Sequence, residues 1–175
     1  MISLKELLTT YFSQLTLILA ALGYMLKRVF DTISKKTEIN HNLFQQKRLE
    51  SVNNFFKTYA QTEQMWNSIS TWDILEHKIP AKEMDSIIFP HINELKRNVL
   101  ELQIYFDDKE HKSFVDILDN VNSINSKLSK VYFDYNPEKT YIDKSNEFLD
   151  HKFQKLKDNK NIFREISLTL KKMFK

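Results

Sequence analysis

The sequence predicts an all-α protein: an N-terminal single transmembrane helix running into a cytoplasmic antiparallel bundle of about four long helices. Three observations predict it. Glycine occurs once, at Gly23, and proline three times, at Pro80, Pro90 and Pro137. Sheet-rich chains need many tight turns built on glycine, proline and asparagine, and ordinary glycine usage is about 7%. Apolar residues recur at helical steps of three and four along most of the chain. Finally, Leu7 to Leu26 carries no formally charged side chain. As a helix that stretch is about 30 Å long, the thickness of a bilayer's hydrocarbon core.

The first helix has three readings. Nine of the twenty residues from Leu7 to Leu26 are Leu, Ile or Phe. They favour insertion into a bilayer by roughly 3–5 kcal/mol, before Gln14 and the hydroxyls subtract. A cleaved signal peptide has some support in Ala21-Leu22-Gly23, a small-x-small site. Against it, Lys5 is offset by Glu6, and Lys27, Arg28, Lys35 and Lys36 follow the apolar run directly, the wrong side for secretion. A core helix would need a partner that buries the run nearly all round. The span is the reading favoured. The Lys and Arg excess after Leu26 then places the C-terminal side in the cytoplasm and the N-terminus outside. The expected location is the inner (cytoplasmic) membrane, in a single pass, with residues 1–30 as anchor and 31–175 as the helical domain.

One face of this helix is lined by small residues: Thr9, Ser13, Thr16, Ala20 and Gly23. Their steps of four, three, four and three put them on one stripe, which suits close approach of two helices in lipid. The competing reading is that the hydroxyls bond back to their own helix. The stripe is the expected self-association seam.

The polar segment after the span has no breaker, so the helix is expected to continue. Leu49, Val52, Phe56, Tyr59 and Trp66 then fall at heptad-like steps, with Glu63 in the gap, to an end near Ser70. "WDILEHK" suits one or two helical turns. Ile79-Pro80 and Phe89-Pro90 both push the residue before proline out of the α region. That predicts a short helix from Ala81 to Ile88 and places Pro90 in the first turn of the next. Ile92, Leu95, Val99, Leu102 and Phe106 mark that next helix. Asp107, with Glu110 three residues on, reads as a capping box. It opens a helix with Phe114, Ile117, Val121, Ile124, Leu128 and Val131 on one face. "DYNPEK" breaks it. A final helix from Tyr141 shows Leu149, Phe153, Leu156, Phe163, Ile166, Leu170 and Met173.

Composition excludes several functions. There is no cysteine, so disulfide scaffolds, thiolate metal sites and thiol catalysis are out. One glycine cannot build a P-loop or a dinucleotide fingerprint, which need backbone amides exposed at several glycines. Of the five histidines, His91 pairs with Glu94 and His111 with Asp108 at helical spacing. Both pairs sit beside helix starts among surface-type residues, and no Glu-x-x-His or His-Glu-x-x-His motif occurs. Lysine outnumbers arginine 22 to 4, which leaves few bidentate forks for phosphate or base recognition.

Charge is unevenly spread. Residues 73–150 hold 10 basic and 16 acidic side chains, and residues 151–175 hold 8 basic and 2 acidic. The last segment reads either as a bundle helix with a solvated lysine face or as an element for a membrane surface or partner. The first is favoured, because its apolar stripe is long enough to be core.

In general look the chain resembles small bacterial single-pass membrane proteins with a lysine- and asparagine-rich helical part. The expected function is a membrane-anchored interaction, scaffold or signal-relay module that self-associates. The alternative is a membrane-perturbing, pore-forming effector gated by its helical domain. No catalytic residue, metal ligand or cofactor is expected, and the chain is not expected to be an enzyme. The expected partners are the lipid bilayer, a second copy of the chain and a further protein; nucleic acid is not expected. Contact with a membrane surface or partner falls to Lys27, Arg28, Lys35, Lys36, Lys171, Lys172 and Lys175.

Overall fold

The computed structural model describes residues 4–134, 136 and 138–173, with the side chains of residues 4, 6–10, 13, 15 and 173 outside the described set. The described elements are all helical: α1 (Leu4–Ser68), α2 (Thr71–Leu75), α3 (Ala81–Leu102), α4 (Asp108–Tyr132) and α5 (Tyr141–Met173). The chain divides into two compact units, Met1–Lys47 and Arg48–Lys175. Hydropathy put the end of the expected anchor at residues 30 and 31; the two compact units meet at residues 47 and 48.

In the first unit α1 is exposed at every described side chain up to Phe44. Among the described residues no helix is long and apolar enough to cross a membrane. Of the stretch expected to span, the side chains of Leu7, Leu8, Thr9, Thr10, Ser13 and Leu15 lie outside the described set.

The second unit is a four-helix bundle of residues 48–68 of α1 with α3, α4 and α5. Bonds between helices give the order. Ser51 and Thr58 of α1 meet Glu101 and Asn98 of α3. Val99 of α3 meets His111 of α4. Ser123 and Lys127 of α4 meet His151 and Glu147 of α5. Tyr59 and Trp66 of α1 meet Asn159 and Lys152 of α5. Numbers fall on one helix as they rise on its neighbour, so neighbours run antiparallel and α5 closes the ring against α1.

The core follows the apolar stripes, with three corrections. In α1 Ser51, Val52, Phe55, Thr58, Tyr59, Thr62, Met65 and Trp66 are buried, while Leu49 is 46% exposed and Phe56 only partly covered. The register turns by one residue because Phe55 packs edge-on against Phe114, 5.0 Å between centroids, and leaves no solvent-facing ring. In α3 there is no break at Pro90: Ala81 to Leu102 is one helix with Pro90 inside it. Met84, Ile88, Ile92, Leu95, Val99 and Leu102 are all buried on one face. Burying that face outweighs the roughly 3 kcal/mol that an interior proline costs. In α5 Phe153 is exposed, and Ser145, Phe148, Lys152 and Asn159 turn inward. Met173's side chain is outside the described set.

The α4 stripe, from Phe114 to Val131, is buried throughout, and Asp107 Oδ1 accepts from the Glu110 amide at 2.8 Å. A second cap opens α5: Thr140 Oγ1 accepts from the Asp143 amide at 3.2 Å, and Asp143 Oδ2 accepts from the Thr140 amide at 3.0 Å. The turn after α2 is made without glycine. His77 takes φ 56°, its amide donates to Ile74 and the Lys78 amide to Asp73, the paired bonds of a left-handed helix stop. Edge-on contact with the Tyr132 ring at 4.5 Å steadies the histidine there.

Candidate functional site: an apolar sleeve and a buried polar seam

Two features stand out as places where this chain could act. The first is the α1 helix of the N-terminal unit. Tyr11, Phe12, Leu17, Ile18, Leu19, Leu22, Tyr24, Met25, Leu26, Val29, Phe30 and Ile33 are each at least 47% exposed. At 100° per residue they fall within about two thirds of the circumference, with Gln14, Ala21 and Arg28 in a gap of about 80° between Leu17 and Met25. The remaining third holds Thr16, Ala20, Gly23 and Lys27, which lie within about 60° of one another. So the described part of the expected seam is a narrow small-residue strip inside an apolar sleeve. Thr9 and Ser13 have side chains outside the described set. Thr16 Oγ1 donates to the Phe12 carbonyl at 2.8 Å, so this hydroxyl bonds its own helix, as the competing reading holds. Thr32 and Thr37 do the same four residues back. A Cβ added at Gly23 meets nothing within 4 Å.

The basic candidates fall in both units. Lys27, Arg28, Lys35 and Lys36 are exposed on α1, and Lys171 and Lys172 on the last turn of α5; Lys175 lies outside the described residues.

The second feature was not visible in the sequence: a polar seam through the bundle. Asn159 is fully buried; its Nδ2 donates to the Tyr59 hydroxyl at 3.2 Å, and its Oδ1 accepts from Asn120 Nδ2 at 2.8 Å. Three helices meet at this one amide. Asn98 Nδ2 donates to Thr58 Oγ1 at 2.7 Å, and Thr62 Oγ1 donates to the Thr58 carbonyl at 2.9 Å. Burial first, then Glu63, pushes the Tyr59 hydroxyl up to about 12, against the pull of Asn159. Lys152 is buried too, with Nζ 3.3 Å from the Trp66 carbonyl, and burial draws its amine below the ordinary lysine value. Asparagine and lysine at core positions of α5 are spaced like apolar residues, which was the only available sign of them.

Along the α4–α5 seam, Glu147 bonds Lys127 and, at 2.8 Å, Lys139. Those two bonds pull its carboxyl down to about 2. His151 Nε2 lies 2.9 Å from Ser123 Oγ. Burial first, then the Lys155 and Lys127 charges, lowers this imidazole below the ordinary histidine value.

The end of the bundle carries a cavity of about 480 Å³ lined by His77, Asp134, Lys139, Thr140, Tyr141 and Lys144, among others. Its cations are already engaged: Lys139 by Glu147 and, at 3.5 Å, Asp134, and Lys144 by the Asp134 carbonyl. Among the described residues no group of three or more His, Asp or Glu side chains is placed to hold a metal ion. The polar groups of the seam pair with one another across helices, which ties the helices to one register.

Matched against protein-family models, curated proteins and solved structures, the chain finds no counterpart in any of the three.

Proposed function

We propose that this protein is a membrane-anchored interaction module. The α1 helix is taken up by a bilayer around its apolar sleeve, and the four-helix bundle is the part that meets a partner. One observation carries the reading: twelve large apolar side chains from Tyr11 to Ile33 stand exposed, ten of them within an arc of about 140°. Water penalises that surface by about 25 cal/mol per Å², and a bilayer removes the penalty all round. A single soluble partner helix would cover only one side of it. The uncharged run from Leu7 to Leu26 and the basic residues after it support the same orientation, with the bundle on the cytoplasmic side. The strip of Thr16, Ala20 and Gly23 then faces a second copy of the helix, where small side chains let backbones approach.

Carbonate extraction of membranes from expressing cells tests the anchor with the full chain. Wild type should stay in the pellet. A Leu19→Lys, Leu22→Lys double variant should move to the supernatant, since each lysine at the centre of a span costs about 2.5–3.5 kcal/mol. Release of the wild type by carbonate would end the proposal.

A further inference from the structure

The last helix has two working faces, and only one of them belongs to the core. Phe148, Lys152, Leu156, Asn159 and Ile166 point inward. On the outside, Phe153, Lys157, Lys160, Arg164, Leu168 and Lys171 follow one another at steps of four, three, four, four and three, and all are exposed. At 100° per residue these six lie within an arc of about 80°, along about 27 Å of helix. Phe153 is 59% and Leu168 53% exposed.

Three properties of this row point to a partner. None of its four cations makes an ion pair or hydrogen bond among the described residues. The two carboxylates of residues 151–173, Asp158 and Glu165, lie about 120° and 100° from the centre line of the row. Asp158 is held by Gln154 at 2.9 Å, and Glu165 lines the groove beside α4. An ordinary solvated helix face intersperses charges of both signs at one-turn spacing; like charges at that spacing repel, and the row is relieved when an anionic surface meets it. Finally, the cations are flanked by two large apolar side chains. A phosphate backbone has no use for Leu168, and a row with one arginine offers few forks to bases. The headgroup layer of an anionic bilayer takes both parts, the charges on lipid phosphate and the apolar groups at the acyl boundary.

We propose that the outward face of α5, from Phe153 to Lys171, docks on an anionic phospholipid surface. The bilayer that holds α1 and a second bilayer satisfy the same chemistry, and the contact does not depend on the α1 anchor.

The absence of cysteine allows a clean test in the full chain. Ser167→Cys, exposed on the same face, carries an environment-sensitive fluorophore; Asn122→Cys, exposed on α4, carries it as control. Each protein is mixed with vesicles of phosphatidylcholine alone or with phosphatidylglycerol added. Residue 167 should shift to the blue and brighten only with phosphatidylglycerol, lose the response in high salt, and leave residue 122 unchanged. Lys157→Gln, Lys160→Gln and Arg164→Gln should each weaken the lipid response by about fivefold, with circular dichroism showing the bundle intact. No response to phosphatidylglycerol, an equal response to both vesicles, or a response to single-stranded RNA in its place would overturn the contact. Vesicle flotation separates the two readings. If the chain fails to float with phosphatidylcholine while residue 167 still answers phosphatidylglycerol, only the anchor fails. If it floats and residue 167 stays in water, only the α5 contact fails.

Discussion

Lys152 Nζ lies 3.3 Å from the carbonyl oxygen of Trp66, so a cation carried by α5 closes the C-terminal end of α1. The last turn of α1 has no basic residue of its own, and its final carbonyls are left without partners inside the helix. A donor with positive charge satisfies both the free carbonyl and the negative end of the helix dipole. His111 reaches the end of α3 in the same way, with Nε2 2.8 Å from the Val99 carbonyl.

Replacing Lys152 should therefore separate packing from charge. Lys152→Ala leaves a cavity and an unsatisfied carbonyl and should destabilise the bundle by about 2–4 kcal/mol. Lys152→Met keeps the volume and removes the burial penalty of the charge, so it should stay within about 1 kcal/mol of wild type. Urea unfolding followed by circular dichroism distinguishes them; equal losses would mean that the charge itself holds the helix end.

The Asn159 amide joins Asn120 of α4 to Tyr59 of α1. Asn159→Ala should cost about 2–4 kcal/mol, because it strands two buried polar groups as well as opening space. Tyr59 adds a pH signature. Its folded pKa, about 12, stands above the ordinary 10. The stability it contributes is complete below pH 10 and is lost as pH rises from 10 towards 12. The difference between wild type and Tyr59→Phe, followed in urea at increasing alkaline pH, should shrink over that interval. A constant difference would place the hydroxyl in water.

Acid should act in two steps. His151 has a folded pKa below 6.5, so the unfolded chain binds the proton more readily. Its contribution is complete above pH 6.5 and is lost as pH falls from there through the folded value. Glu147 falls from 4.5 to about 2 on folding, so its contribution is present above pH 4.5 and lost between there and about 2. His151→Gln should flatten the upper step and Glu147→Gln the lower one in a plot of urea midpoint against pH. If both variants track the wild-type curve, other groups drive the acid response.

At Gly23 a larger side chain has open space in the single chain. Gly23→Leu should leave bundle stability within about 0.5 kcal/mol of wild type. In membranes it should reduce cross-linked dimers, as should Ala20→Leu, because close approach of two backbones needs small residues at the contact. Dimers that survive both changes would remove the strip from the interface.

Much of the bundle was legible before any coordinates. The single glycine and the three-and-four spacing through Ile92–Leu102 and Phe114–Val131 prescribe long helices with one apolar face each, and Asp107 with Glu110 marks a helix start. Those signals are local: each depends on the period of the α-helix and on one side chain reaching one nearby amide. Pro90 misled because its penalty is local too. A break there would have taken Met84 and Ile88 out of the stripe that Ile92 and Leu95 continue, and only the assembled core sets the size of that loss.

The polar seam and the outward row of α5 were beyond local reading. Phe153 and Lys152 are adjacent, about 100° apart on the helix, and hydropathy alone turns the phenylalanine inward. The fold turns the lysine inward, because the end of α1 presents a bare carbonyl at that level and Phe148, Leu156 and Ile166 already fill the apolar contact. The sequence by itself determined that the chain is helical, where most helices begin and end, and that an uncharged run precedes them. Which side of each helix is buried at its polar positions was decided only when four helices met, since a buried asparagine or lysine is stable only opposite the group that satisfies it.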